Sequence, residues 1–66
     1  MKISVNGKPH ELNGEANVVA LLQSLKVKAE QVAVAINGEV VRRGDWPETS
    51  VQAGDTVEIV RAVGGG

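Results

Sequence analysis

Sixty-six residues, 42% of them hydrophobic and 23% charged, make one small domain and leave no room for a second. Seven Lys/Arg against eight Asp/Glu leave a formal charge of −1, which removes the electrostatic footprint of a dedicated nucleic-acid binder or a polybasic membrane-surface module. Without cysteine and with a single histidine, the chain has no disulfide framework, no thiol nucleophile and no four-ligand Cys/His zinc site. No unbroken apolar run exceeds five residues, too short to cross a membrane, and no signal-peptide pattern opens the chain, so a cytoplasmic location is expected. Valine occurs twelve times while Phe and Tyr are absent, so the core is expected to be β-branched and strand-rich.

Along the chain, Lys2-Ile3-Ser4-Val5 alternates polar and apolar, the pattern of a half-buried strand with Ile3 and Val5 inward. Asn6-Gly7 is a strong signal for a tight hairpin turn, and Lys8 to Leu12 is the return strand. Pro9 lacks an N–H, which places that strand at an edge. Ala16 to Leu25 changes period: Val18, Leu21, Leu22 and Leu25 share one face of a helix. Asn17, or a residue just before it, is the expected cap, with Glu15 at the positive end of the dipole and Lys26 and Lys28 near the negative one. Val32 to Ile36 is a continuous apolar run, read as an interior strand. Asn37-Gly38 then repeats the hairpin signal, with Glu39 to Val41 as the short return. Arg42 to Ser50 is expected to be irregular, with a 3-10 turn about Asp45-Trp46-Pro47-Glu48. After a turn at Gln52 to Asp55, Thr56 to Val60 is the last strand, Val57 and Ile59 on one face.

One helix with one apolar face must lie on one face of one sheet. The expected class is α+β: a β-grasp, ubiquitin-like arrangement with a four- or five-stranded mixed sheet, one main helix, and the first and last strands parallel at its centre. Ile3, Val5, Leu21, Leu22, Leu25, Val34, Ile36, Val57 and Ile59 are the expected core. Residues 1–61 form this domain and 62–66 a flexible glycine tail.

Side-chain chemistry is thin. Glu11, Glu39, Asp45 and Asp55 fall in different elements and make no catalytic carboxylate pair. His10 is expected to be an exposed side chain on an edge strand. Trp46, the only aromatic residue, reads as a hydrophobic lid over the open end of the core, the alternative being an interface anchor. Arg42 and Arg43 with Lys26 and Lys28 read as solvated surface, the alternative being a phosphate-contacting patch. No catalytic residue and no metal site are expected.

The tail carries the one chemical suggestion. Gly64-Gly65-Gly66 can contribute nothing to packing, and glycine loses the most backbone entropy on ordering. A cut linker would look the same. The functional reading is a thread for a narrow channel in another protein, with the α-carboxylate of Gly66 as the reactive group, Gly64 and Gly65 as the threading residues, and Arg61 as a polar contact at its base.

On these features the chain resembles the ThiS family of sulfur carriers in thiamine biosynthesis. The resemblance runs through Met1 to Asn6, Val19-Ala20-Leu21-Leu22, Val34-Ala35-Ile36-Asn37, Val41-Arg42-Arg43, Asp45-Trp46 and Gly54-Asp55, and ends in Gly65-Gly66. Gly64 stands where the family usually has another small residue. The related MoaD carriers are typically longer, with prolines and aromatics before their glycines, whereas Val60-Arg61-Ala62-Val63 stands there in this chain. The resemblance implies a protein co-substrate with no resident cofactor. A ThiF-like enzyme using ATP and Mg would adenylate Gly66, sulfur from a donor such as a cysteine desulfurase would convert it to a thiocarboxylate, and a ThiG-like thiazole synthase would take the sulfur. Other readings are a MoaD-like or tRNA-thiolation carrier, and a non-covalent TGS-like binding module that needs no free terminus.

Overall fold

The computed structural model describes residues 1–61. Two hairpins flank a central strand. Strands β1 (Lys2–Val5) and β2 (Lys8–Glu11) form the first hairpin, and β4 (Val32–Ile36) and β5 (Glu39–Val41) the second. The last strand, β7 (Thr56–Arg61), lies between them in the order β2-β1-β7-β4-β5. It runs parallel to β1 and antiparallel to β4. The five-stranded mixed sheet with one main helix is the expected β-grasp, and Pro9 sits in the outermost strand as its missing donor requires.

Helix α1 spans Val18–Ser24, shorter than the predicted Ala16 to Leu25. The first two predicted residues are instead a short strand, β3 (Ala16–Asn17), paired antiparallel with β6 (Ser50–Val51). Asn17 is extended, and its Oδ1 accepts from the Ala20 N–H at 2.8 Å, an ordinary N-cap. That position leaves Glu15 outside the first turn. At the other end, Lys26 N–H donates to the Gln23 carbonyl and Val27 N–H to that of Leu22, both at 3.1 Å. Lys26 has φ +57°, so this is a Schellman ending with lysine in the left-handed place where glycine is usual.

The core is Ile3, Leu12, Val18, Leu21, Leu22, Val32, Val34, Trp46, Val51 and Val57. Val5, Leu25, Ile36 and Ile59, predicted as core, are half-buried and pack around it. Leu12 lies just past β2, where Met1 O accepts its N–H at 2.8 Å and folds it inward. Trp46 is 3% exposed, and its Nε1–H donates to the Val41 carbonyl at 2.9 Å. It is the lid of the core and not an interface anchor. The predicted irregular crossover contains a 3-10 turn, Arg43–Glu48, that carries this tryptophan inward. His10 is half-buried, not exposed: it pairs across the hairpin with buried Ile3 and so shares that residue's helix-facing side.

Candidate functional site

No catalytic centre assembles among the described residues. They contain no group of three or more His, Asp or Glu able to hold a metal ion. The acidic residues singled out in the sequence stay apart, and Asp55 serves the fold: its carboxylate accepts from the Gln52 N–H at 2.8 Å and from Asn37 Nδ2 at 3.0 Å. No helix is long and apolar enough to cross a membrane among the described residues.

What the sheet does build is a fixed exit for the chain. β7 is central, and it pairs with β4 over five positions, from Ile36↔Val57 to Val32↔Arg61. On its other side it pairs with β1 only at Ser4↔Thr56 and Val5↔Val57. Beyond that, Asn6 takes over. Its Oδ1 accepts from the Ile59 N–H at 2.8 Å, and its Nδ2 donates to the Ile59 carbonyl at 3.1 Å. Asn37, in the matching turn, accepts from the Thr56 N–H at 2.9 Å. Both asparagines sit at φ +52°, the first central position of their turns. The turn residue that forms each hairpin therefore also clips the strand that leads to the tail. The sequence signalled the turns; nothing local in it revealed the clips, because Asn6 and Ile59 are 53 residues apart.

Two surfaces flank the exit. Register places Ala33 and Val60 in one cross-strand row of the helix-free face, with Glu58, Ala35 and Val40 in the next. Val40 is 76% and Val60 61% exposed, the two large hydrophobic side chains that the described residues leave in solvent. On the helix side, Arg61 lies at the mouth of a cleft of about 340 Å³ that Lys26 and Lys28 also line. Arg42 and Arg43 do not join that basic cluster. The Arg43 guanidinium sits 5.5 Å from the Trp46 ring centroid and donates to the Ala29 carbonyl at 3.1 Å. Gly64, Gly65 and Gly66, with the predicted flexible tail as a whole, lie outside the described residues.

A sequence model of the ThiS family matches residues 3–66. The sulfur carrier protein ThiS of Escherichia coli is 30% identical over 66 residues, covering all of both chains. The chain belongs to the ThiS family. Its fold agrees with the crystal structure of the thiamine biosynthesis protein ThiS from Geobacter metallireducens, at a TM-score of 0.89 and 46% identity with both chains fully covered. A thiazole synthase of Magnetococcus marinus is 39% identical over the whole of this chain, which spans only 20% of that relative's length. A thiazole synthase from Paramagnetospirillum magneticum gives the same picture, at 38% identity and 20% of its length. The two full-length relatives are thus a small sulfur carrier protein and a thiamine biosynthesis protein, both named ThiS.

Proposed function

We propose that this member of the ThiS family carries sulfur on the α-carboxylate of Gly66, as a thiocarboxylate destined for the thiazole ring of thiamine. The observation that carries the reading is the family match running to residue 66, through three consecutive glycines. The described fold supports it, since the described side chains form no reactive centre and β7 is held by β4 as far as Arg61 and on its other side by β1 and Asn6 as far as Ile59.

A free carboxylate resists nucleophiles because oxygen leaves poorly as oxide. A ThiF-like enzyme solves this with ATP and Mg: a carboxylate oxygen attacks the α-phosphorus, pyrophosphate departs, and Gly66 becomes a mixed anhydride with AMP. The outer sulfur of a persulfide, charged by a donor such as a cysteine desulfurase, then attacks the acyl carbon and AMP leaves. A thiol cleaves the resulting acyl disulfide and frees the thiocarboxylate. The chain has no cysteine of its own to intercept the activated acyl group. It holds no resident cofactor in this scheme. The two thiazole synthases that contain a segment like this chain support a ThiG-like enzyme as the sulfur acceptor.

The helix-free face, with Val40 and Val60 exposed, is the surface that the adenylating enzyme would grip, with Arg61 at the rim. Exposed valines gain about 25 cal/mol for each Å² of apolar area that a partner covers.

The test is one appended residue. An alanine after Gly66 keeps every side chain and moves the carboxylate about 3.8 Å along the chain. The expected outcome is an unchanged thermal midpoint and no mass gain of one sulfur for one oxygen after incubation with the adenylating enzyme, ATP, Mg and a sulfur source. Loading at the unmodified rate, with the extra residue still attached, would favour a binding module instead.

A further inference from the structure

The cleft beside Arg61 has a composition that the carrier chemistry does not require. It is lined by Lys26, Val27, Lys28, Gln31, Val32 and Arg61: three cations with two valines and a glutamine, and no carboxylate among the described lining residues. All three cations are exposed. In a chain with eight acidic side chains and a net charge of −1, such a single-sign cleft is a local inversion of the average. The fold explains the convergence. Arg61 is on the helix-facing side of β7, opposite Val32 of β4, and the C-terminal end of α1 delivers Lys26 and Lys28 to the same corner.

Lys26 adds a second, independent observation. Its φ of +57° is the left-handed conformation that glycine adopts freely and a side chain resists. A cation anywhere in the last helical turn would satisfy the helix dipole. Here the cation stands instead at the one position of the ending where a side chain is disfavoured, and that side chain lines the cleft.

We infer that this cleft is an electrostatic docking site for a carboxylate-bearing segment of the protein that receives the tail. The inference rests on the carrier reading and names the contact that would bring the partner to the foot of the tail. A nucleotide fits less well. Trp46, the sole aromatic, is buried and cannot stack a base. The helix end at the cleft is the carbonyl end, whereas compact phosphates favour the N–H end. Three separate side-chain cations suit carboxylates spread along a peptide.

Two experiments test it. In the first, the 66-residue chain is titrated with hexaglutamate, inorganic phosphate or AMP while backbone amides are followed by NMR. Hexaglutamate at low salt should shift residues 26–28, 31 and 61, the shifts should vanish in about 0.5 M salt, and Lys26→Ala/Lys28→Ala should abolish them. Equal response to phosphate or AMP would overturn the inference, because the cleft would then be a small-anion site. So would shifts that appear only after residues 62–66 are removed, because the chain's own carboxylate would then be the occupant.

In the second, sulfur loading by a ThiF-like enzyme is measured for Lys26→Glu/Lys28→Glu. The expected result is a roughly tenfold rise in KM at low salt, kcat unchanged and the difference gone in high salt, as for steering by rim charges. Arg61→Glu should do the same to a smaller degree. Lys8→Glu with Asn13→Glu and Gln52→Glu, matched in net charge but away from the cleft and from Val40 and Val60, should load normally. A defect shared by this control, or one insensitive to salt, would refute the docking site. Failure of the carrier reading looks different, since the chain with its cleft intact would then acquire no sulfur at any salt concentration.

Discussion

The two hairpins use the same turn and hold β7 in different ways. Each has Asn-Gly at its tip, with φ of +52° at both asparagines and +82° or +85° at the glycines. The second hairpin meets β7 along a long antiparallel ladder, and the clip from Asn37 sits at the ladder's foot. The first meets it through two parallel pairs, and the clip from Asn6 then stands in for the ladder that β1 is too short to continue. One dipeptide thus makes a turn and a clip in both places, but only in the first does the clip stand where no backbone ladder continues. The surroundings decide how much a turn residue contributes.

The largest expected effect strikes both hairpins together. Leu22 is 1% exposed, and Leu22→Ala should cost about 2–5 kcal/mol in a denaturant melt, with amide protection falling equally in β1 and β4. Protection lost from one hairpin alone would show that the two do not share a core. Next come the clips. Glycine keeps the left-handed turn and removes only the side chain, so Asn6→Gly should cost about 1–2 kcal/mol, and the Ile59 amide should exchange faster. Asn37→Gly should cost less, about 0.5–1 kcal/mol, because the ladder beside it remains. The reverse order would break the distinction between the hairpins. The smallest effect has the opposite sign. Lys26 shares the asparagines' left-handed backbone without their return hydrogen bonds among the described residues, so Lys26→Gly should stabilise the fold by about 0.5–1 kcal/mol, read as a raised denaturation midpoint.

Much of this architecture was legible because its signals are local. Asn-Gly pairs announced the hairpins, alternation located the strands, and the Val18-Leu21-Leu22 spacing located the helix face. What escaped reading depends on partners distant in sequence. Ala16–Asn17 looks helical by periodicity until Ser50–Val51 arrives to pair with it. Leu12 and Val51 flank turns and belong to no apolar repeat, so their burial follows only from the closed fold. The site was legible in a narrower sense. Arg61 was marked by its place before the tail, but its grouping with Lys26 and Lys28, and not Arg42 and Arg43, needed three dimensions.

The central place of β7 also sets when the protein can fold. Asn6 and Ile59 are 53 residues apart, and neither hairpin touches the other in the sheet except through the strand made last. A nascent chain without β7 holds two separate hairpins, and a lone hairpin in water is marginal at best. Assembly therefore waits for synthesis to pass Arg61, after which long-range closure must precede any reward from packing, an order that slows the search. Until then both inner strand edges stay open to intermolecular pairing, so the interval between synthesis and closure is when this chain is most prone to aggregate.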